Sequence, residues 1–267
     1  MPSEPAPDGP GPSEPALRTG SAASADALPD VGLAGVNDPR CRSTEPPVVL
    51  LHGTVSTPES NFSRLAPALR ASGRCAYAVL YGAMLGWGGV GDIDASADQV
   101  AAFVGAVRRA SGARQVDVIA FSQGALVLRN ALQRKLNPAD VRLAVLLAPN
   151  YHGTSVNLAS RAPAALCPAC GQQATGSPLL RRLADGGELA PGVRYAALST
   201  ADDAWVLPVS GQAPVGPADR VRAEVLQQRC PGLSVAHENL PGQPTAVEWT
   251  LGTLRNGGVP PEQLPCR

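Results

Sequence analysis

Val116-Asp117-Val118-Ile119 runs directly into Ala120-Phe121-Ser122-Gln123-Gly124, and Ala125-Leu126-Val127-Leu128-Arg129-Asn130-Ala131-Leu132 follows, so a serine stands where an apolar strand ends and a helix begins. This reads as a nucleophile elbow. Such a turn is sharp enough to require small residues on either side of the serine, as Ala120 and Gly124 are, and its strain leaves the hydroxyl exposed above the sheet. An isolated small-x-Ser-x-Gly recurs by chance. Its weight here comes from the strand before it, the helix after it, and the partners found downstream.

Apolar runs alternate with helical patterns from Pro46 onward: Val48-Leu51, then Phe62-Ala71 with Leu65 and Leu69 inward, then Ala76-Tyr81. A helix is expected from Ser96, with Ser96 and Gln99 in capping-box spacing and Ala97, Val100, Ala101, Val104 and Val107 along one face. Beyond the elbow come Leu143-Ala148, Arg194-Ser199 and a last helix entered at Pro244 with Val247, Leu251 and Leu254 aligned. Short continuous apolar strands separated by helices imply an α/β fold, a mostly parallel sheet covered on both faces. Tyr151 to Pro191, rich in Gly, Pro and Ala, interrupts the rhythm. An insertion after a sheet strand lies over the carboxyl edge, where open α/β sheets hold their sites, so a small cap is expected there.

The 267 residues, 44% of them hydrophobic, suffice for one α/β domain with a sizeable core. Residues 1–40 form a Pro/Ala/Ser-rich arm that cannot bury enough apolar surface to offset its ordering entropy, and disorder is expected; residues 41–267 are the expected domain. Lys+Arg and Asp+Glu are equal at 22 each, which leaves no net field to draw nucleic acid or an anionic membrane. No stretch approaches the length of a bilayer span, and no signal peptide is visible.

Six cysteines, none needed for the chemistry below, fit disulfides formed in an oxidising compartment. Cys41 shortly precedes the strand Val48-Leu51 and Cys75 immediately precedes the next one, so in a parallel sheet both sit at the same edge and a Cys41–Cys75 bridge is natural. Cys167 and Cys170 can close locally, leaving Cys230 to Cys266. Zinc would want a second closely spaced pair, and a redox pair would normally open a helix after a strand. A structural bridge is the better reading of Cys167 and Cys170.

A serine hydroxyl is a poor nucleophile at neutral pH and needs a histidine oriented by a carboxylate. Three histidines are available. His52 precedes Gly53 at the end of the first strand, where a backbone turn is needed more than a base, and His152 lies in the turn before Gly153-Thr154. His237, in the loop between Cys230 and the final helix, alone completes the order serine, acid, histidine. The acid belongs on the turn after a late strand, where Asp202 and Asp203 are adjacent. Either could be a solvated turn residue; Asp203 is preferred because it is nearer Trp205 and Val206, which would shield a carboxylate bound to imidazole, with Asp202 in reserve. Backbone N–H groups of Gln123, after the serine, and Thr54, in the turn after the first strand, are the candidate oxyanion donors.

On these stretches the chain resembles the secreted bacterial triacylglycerol lipases of the class 2 lipase family, in the α/β-hydrolase superfamily. The resemblance runs from Cys41 to Cys266 and rests on Pro47-Val48-Val49-Leu50-Leu51-His52-Gly53-Thr54, the serine motif, Leu147-Ala148-Pro149-Asn150-Tyr151-His152-Gly153-Thr154, Cys167-Pro168-Ala169-Cys170-Gly171-Gln172-Gln173, and the neighbourhoods of Asp203 and His237. It implies Ser122 as nucleophile, Asp203 as orienting acid, His237 as general base, Thr54 and Gln123 at the oxyanion hole, and the same three bridges. It also implies an acylglycerol-type ester substrate and secretion; the acyl-enzyme chemistry needs no metal or organic cofactor, and a monomer is expected. Three departures stand out. The family elbow usually reads Gly-His-Ser-Gln-Gly-Gly, against Ala120, Phe121 and Ala125 here. Ala204-Trp205 replaces the acidic-aliphatic continuation after the acid. The leader is the third.

Met84, Leu85 and Trp87, in a glycine-rich loop after the second strand, together with Phe121 and Trp205, are the expected contacts for an acyl chain, and the loop could touch a lipid surface. A serine acyltransferase would use the same triad with an alcohol in place of water. A catalytically silent hydrolase fold acting as a binding protein is the rival of a different class.

Overall fold

The computed structural model describes residues 28–267. Six parallel strands form one sheet in the order β2-β1-β3-β4-β5-β6: β1 (Val48–Leu51), β2 (Ala76–Ala78), β3 (Val116–Phe121), β4 (Val141–Leu147), β5 (Arg194–Ser199) and β6 (Val221–Val225). Strand alternation divides the core in two. Val49, Leu51, Val118, Ala120, Ala144 and Leu146 face α3 (Ile93–Ser111) and α4 (Gln123–Arg134). Val48, Leu50, Ile119, Phe121, Val145 and Leu147 face α2 (Leu65–Ala71) and α8 (Pro244–Arg255), on which Trp249 is fully buried. The inner strands β1, β3, β4 and β5 are almost wholly buried because both faces are covered.

Several local expectations shift. The helical stretch expected over Phe62–Ala71 is two helices, α1 (Pro58–Phe62), capped by Thr57, and α2. Helix α3 begins three residues before Ser96, because Asp92 accepts from Ala95 N at 2.9 Å and so caps the helix first. Ser96 then donates to Asp92 O, and Gln99 accepts from Gly82 N rather than closing a box. Strand β2 is only three residues long, and β6, with its polar Val-Arg-Ala-Glu-Val sequence, carries no apolar signal because it is an edge strand.

The expected arm lies outside the described residues up to residue 27. Residues 28–40 differ from expectation: Leu33 is buried, and Asn37 docks on β2, its side chain bonding both N–H and C=O of Ala78 while its own N–H donates to Ala76 O. One asparagine thus caps an open sheet edge where apolar content gave no warning. Three disulfides, Cys41–Cys75, Cys167–Cys170 and Cys230–Cys266, close at Cα separations of 5.3–5.7 Å, and no cysteine is free among the described residues. The segment after β4 carries α5 (Pro168–Gln172) and α6 (Pro178–Asp185).

At the amino end of the sheet, Asp117 is buried between Arg74 at 3.0 Å and Arg142 at 2.5 Å, with Arg74 also reaching Glu45 and the C=O of Leu254 on α8. This network ties β3, β4 and α8 together at the end opposite Ser122. Among the described residues, no helix is long and apolar enough to cross a membrane.

Candidate active site

Backbone strain marks the carboxyl edge. Among the described residues, four of the five non-glycine residues with positive φ, Val55, Leu85, Ser122 and Ala148, lie in the loops that leave β1, β2, β3 and β4. Such residues persist only where their surroundings fix them, and they gather at functional sites. Ser122 has φ 53° and ψ −120°, a conformation that costs about 1–3 kcal/mol. Its N–H donates to Leu147 O at 2.9 Å, and its C=O accepts from Asn150 N at 3.0 Å and Ala125 N at 3.1 Å, so β4 and its loop hold the turn. Gly124 is required by close approach: a Cβ there would lie 2.6 Å from Leu51 O. Ala125 is fully buried, and its methyl fits in the core.

His237 opens a 3₁₀ turn (His237–Gly242) and reaches both partners at once. Its Nδ1 lies 2.6 Å from Asp203 Oδ2 and its Nε2 3.0 Å from Ser122 Oγ. A carboxylate can only accept, so Nδ1 carries the proton, and Nε2 of the neutral ring accepts from the serine hydroxyl. The Asp203 side chain is fully buried and that of His237 nearly so. Burial works to raise the Asp203 pKa, but hydrogen bonding and charge from His237, with the N–H groups of Val206 and Trp205, outweigh it and hold the carboxyl below its ordinary range. Gln212 Nε2 adds a further bond to Oδ2 at 2.9 Å.

The adjacent aspartates divide the work. Asp202 Oδ2 accepts from Ser234 Oγ and Val235 N, both at 2.9 Å, and from Gln227, so it staples the acid loop to the loop that carries His237. Thr200 Oγ1 makes a parallel bond to Val235 O. Asp202 therefore does not meet the imidazole; it fixes the distance across which Asp203 does.

Thr54 and Gln123 flank the serine. A Cβ at Gly53 would come within 3.4 Å of Ser122 Cβ, so the turn after β1 lies against the Ser122 side chain. Among the described residues no acceptor takes the backbone N–H of Thr54 or of Gln123. The Gln123 side chain is committed elsewhere, donating to Gly89 O at 2.7 Å and tying the glycine-rich loop to the elbow.

The other histidines have different work. His52 is fully buried, stacked on Tyr81 with ring centroids 4.1 Å apart, and accepts from Tyr81 N at Nε2 while Nδ1 donates to Gly53 O at 2.8 Å. Burial pushes its pKa down to about 4. It is a neutral brace under the Gly53-Thr54 turn. His152 bridges Gly211 O and Glu188 Oε1, and the Glu188 bond keeps its pKa above the ordinary histidine value.

Of the five expected acyl contacts, Leu85 is 84% exposed, Trp87 57% and Trp205 37%, while Met84 is half-buried. Phe121 is 4% exposed, and its ring packs against His237 at a centroid distance of 4.9 Å. Strand alternation sets this placement, because Ile119 and Phe121 share the face that packs on α2 and α8. Gln173 and Gln212 escaped the sequence reading as site residues. Both are buried amides whose partners are set only by the folded chain.

A parallel sheet with a strained serine between β3 and α4, faced by a histidine and a buried aspartate from later loops, defines an α/β-hydrolase. The class 2 lipase model matches residues 45–215, which hold Ser122 and Asp203, while His237 lies beyond. The chain belongs to the class 2 lipase family. Among solved structures, Aspergillus fumigatus lipase B is 21% identical at a TM-score of 0.66, the match covering 79% of this chain and 52% of that one. A metagenome-derived lipolytic enzyme is 13% identical at a TM-score of 0.55, covering 84% of this chain and 99% of that one. At these identities the likeness is one of fold, and the chain spans about half the length of the fungal lipase. No curated protein matches the chain.

Proposed function

We propose that the protein hydrolyses carboxylic esters of the acylglycerol type through an acyl-enzyme. The observation that carries this reading is His237 standing 3.0 Å from Ser122 Oγ with its other nitrogen on Asp203. Ser122 Oγ attacks the ester carbonyl carbon as its proton passes to His237 Nε2. The negative charge that develops on the carbonyl oxygen is met by the Thr54 and Gln123 N–H groups, each such donor being worth about a hundredfold to a thousandfold in rate. The C–O bond to the alcohol breaks as His237 returns the proton to the leaving oxygen. Water, deprotonated by the same imidazole, then attacks the acyl carbon, and the acid leaves with Ser122 restored. Asp203 holds the tautomer and stabilises the imidazolium without taking the proton.

Leu85, Trp87 and Trp205 supply apolar surface for an acyl chain, with Met84 beneath. Leu85 stands at a hairpin tip with φ 50°, a conformation a leucine adopts at some cost, in order to project an apolar side chain into solvent. Contact with a lipid surface is the reading this supports. Secretion is favoured by the pairing of all six cysteines in disulfides.

The test is a p-nitrophenyl ester series from acetate to palmitate with emulsified triacylglycerol in parallel, analysed for free acid with and without added alcohol. Free acid released from the esters, at a rate that varies with chain length, supports the reading. Ester formation without acid would make the protein an acyltransferase, and no turnover of any ester would make it a silent hydrolase fold.

A further inference from the structure

We propose that Gln173 is a positioning residue for the oxyanion loop, held in register by the Cys167–Cys170 disulfide; the proposal rests on the ester-hydrolysis reading above. Gln173 is buried, immediately after α5, and its side-chain hydrogen bonds go to Thr54, Asn150 and Ala169 rather than to Ser122, Asp203 or His237. Its Oε1 accepts from Thr54 Oγ1 at 3.1 Å and from Asn150 Nδ2 at 3.0 Å. Thr54 belongs to the loop after β1, and Asn150 to the loop after β4, where its own N–H donates to Ser122 O. One amide oxygen therefore joins the loop that carries an oxyanion donor to the loop that fixes the nucleophile's backbone.

The amide cannot be turned round without loss. Its Nε2 donates to Ala169 O at 3.1 Å, so a flip would set oxygen against oxygen there and turn NH₂ toward the donors from Thr54 and Asn150. Ala169 lies inside the small ring that Cys167 and Cys170 close, is fully buried, and donates its N–H to Val90 O at the end of the glycine-rich loop. Gln173 also accepts from Thr154 N through its backbone C=O. The disulfide thus constrains the carbonyl that orients the amide, and the amide constrains Thr54. Nothing in this chain of contacts requires Gln173 to meet the substrate.

The tests are Gln173→Met, which keeps length and volume without either hydrogen-bonding end, and the pair Cys167→Ser with Cys170→Ser, each assayed on p-nitrophenyl acetate together with binding of a phenylboronic acid as tetrahedral mimic. Gln173→Met should lower kcat by about tenfold to a hundredfold with KM within about twofold. Boronate affinity should fall alongside kcat/KM. The cysteine pair should act in the same direction, and the triple variant should be no worse than Gln173→Met by more than measurement error. Hydrogen exchange at the peptide spanning residues 52–57 should accelerate in Gln173→Met. An unchanged kcat and unchanged exchange in a folded Gln173→Met variant would overturn the proposal, as would fully additive effects of the amide and cysteine changes. Should Gln173→Met melt too low to assay, Gln173→Asn, shorter but still an amide, carries the same expectation and the same refutation. If the wild type turns over no ester, the functional reading fails by itself, and the exchange measurement still decides whether Gln173 holds the loop.

Discussion

The Phe121 ring packs against the His237 imidazole, their centroids 4.9 Å apart and their planes inclined by 41°. A side chain next to Ser122 in sequence therefore packs against His237 in space. If this contact holds the imidazole between Ser122 and Asp203, trimming it should loosen the ring. Phe121→Leu should cost about 1 kcal/mol of stability, as a buried hydrophobic exchange. It should lower kcat several-fold at constant KM, as steady-state kinetics on a short ester would show. A changed chain-length preference with unchanged kcat would make Phe121 an acyl contact instead.

The two adjacent aspartates should separate cleanly. Asp203→Asn offers the imidazole an amide in place of the carboxylate Oδ2, 2.6 Å away, and should reduce kcat by about ten-thousandfold through the wrong tautomer. Asp202→Asn weakens the staple to Ser234 and Val235 and should lower the melting temperature, with kcat much less affected. Measuring kcat and melting temperature for both variants decides the matter; equal small losses of kcat would put the acid elsewhere.

Much of this was legible in the sequence because the elbow's strain dictates its neighbours: Ala120 and Gly124 announce Ser122 without reference to any distant residue. The choice between Asp202 and Asp203 was not, since both occupy one turn and only the loop carrying Val235 and His237 tells them apart. Gln173 and Gln212 act through partners far away in sequence, so no local pattern reveals them. The packing of Phe121 against His237 was not legible either, because adjacency to the serine says nothing of the face on which a strand residue points. Asn37 and β6 were missed for a related reason: edges are closed by hydrogen bonds, which leave no apolar periodicity.

His52 predicts a pH dependence of stability. In the unfolded chain it titrates near its ordinary value of about 6.5, while burial in the folded protein lowers that to about 4. The folded state thus disfavours the protonated form: its stabilisation is complete above the unfolded value, declines as pH falls through the window between the two, and levels off below the folded one. The loss is about 3 kcal/mol at 1.36 kcal/mol per unit. Urea unfolding at pH 7 and pH 4.5, compared between wild type and His52→Gln, should show the smaller pH dependence in the variant. Parallel profiles would mean that His52 is not the sensor.

Asp117 should matter to stability alone. Replacing it with alanine leaves Arg74 and Arg142 facing a buried gap, and removing one partner of such a network costs about 3–5 kcal/mol. Urea unfolding should register that loss. The kcat of the folded molecules should be unchanged, because the network lies at the sheet end opposite Ser122; a kcat that falls at full folding would contradict the separation of brace from site.

The central claim is that His237 makes the Ser122 hydroxyl reactive. Its most direct test is labelling with a fluorophosphonate, followed by peptide sequencing of the adduct. The account predicts a single phosphonylated residue, Ser122, with no labelling of Ser122→Ala and slowing by orders of magnitude in His237→Ala. An adduct on another residue, or labelling of His237→Ala at the wild-type rate, would contradict it.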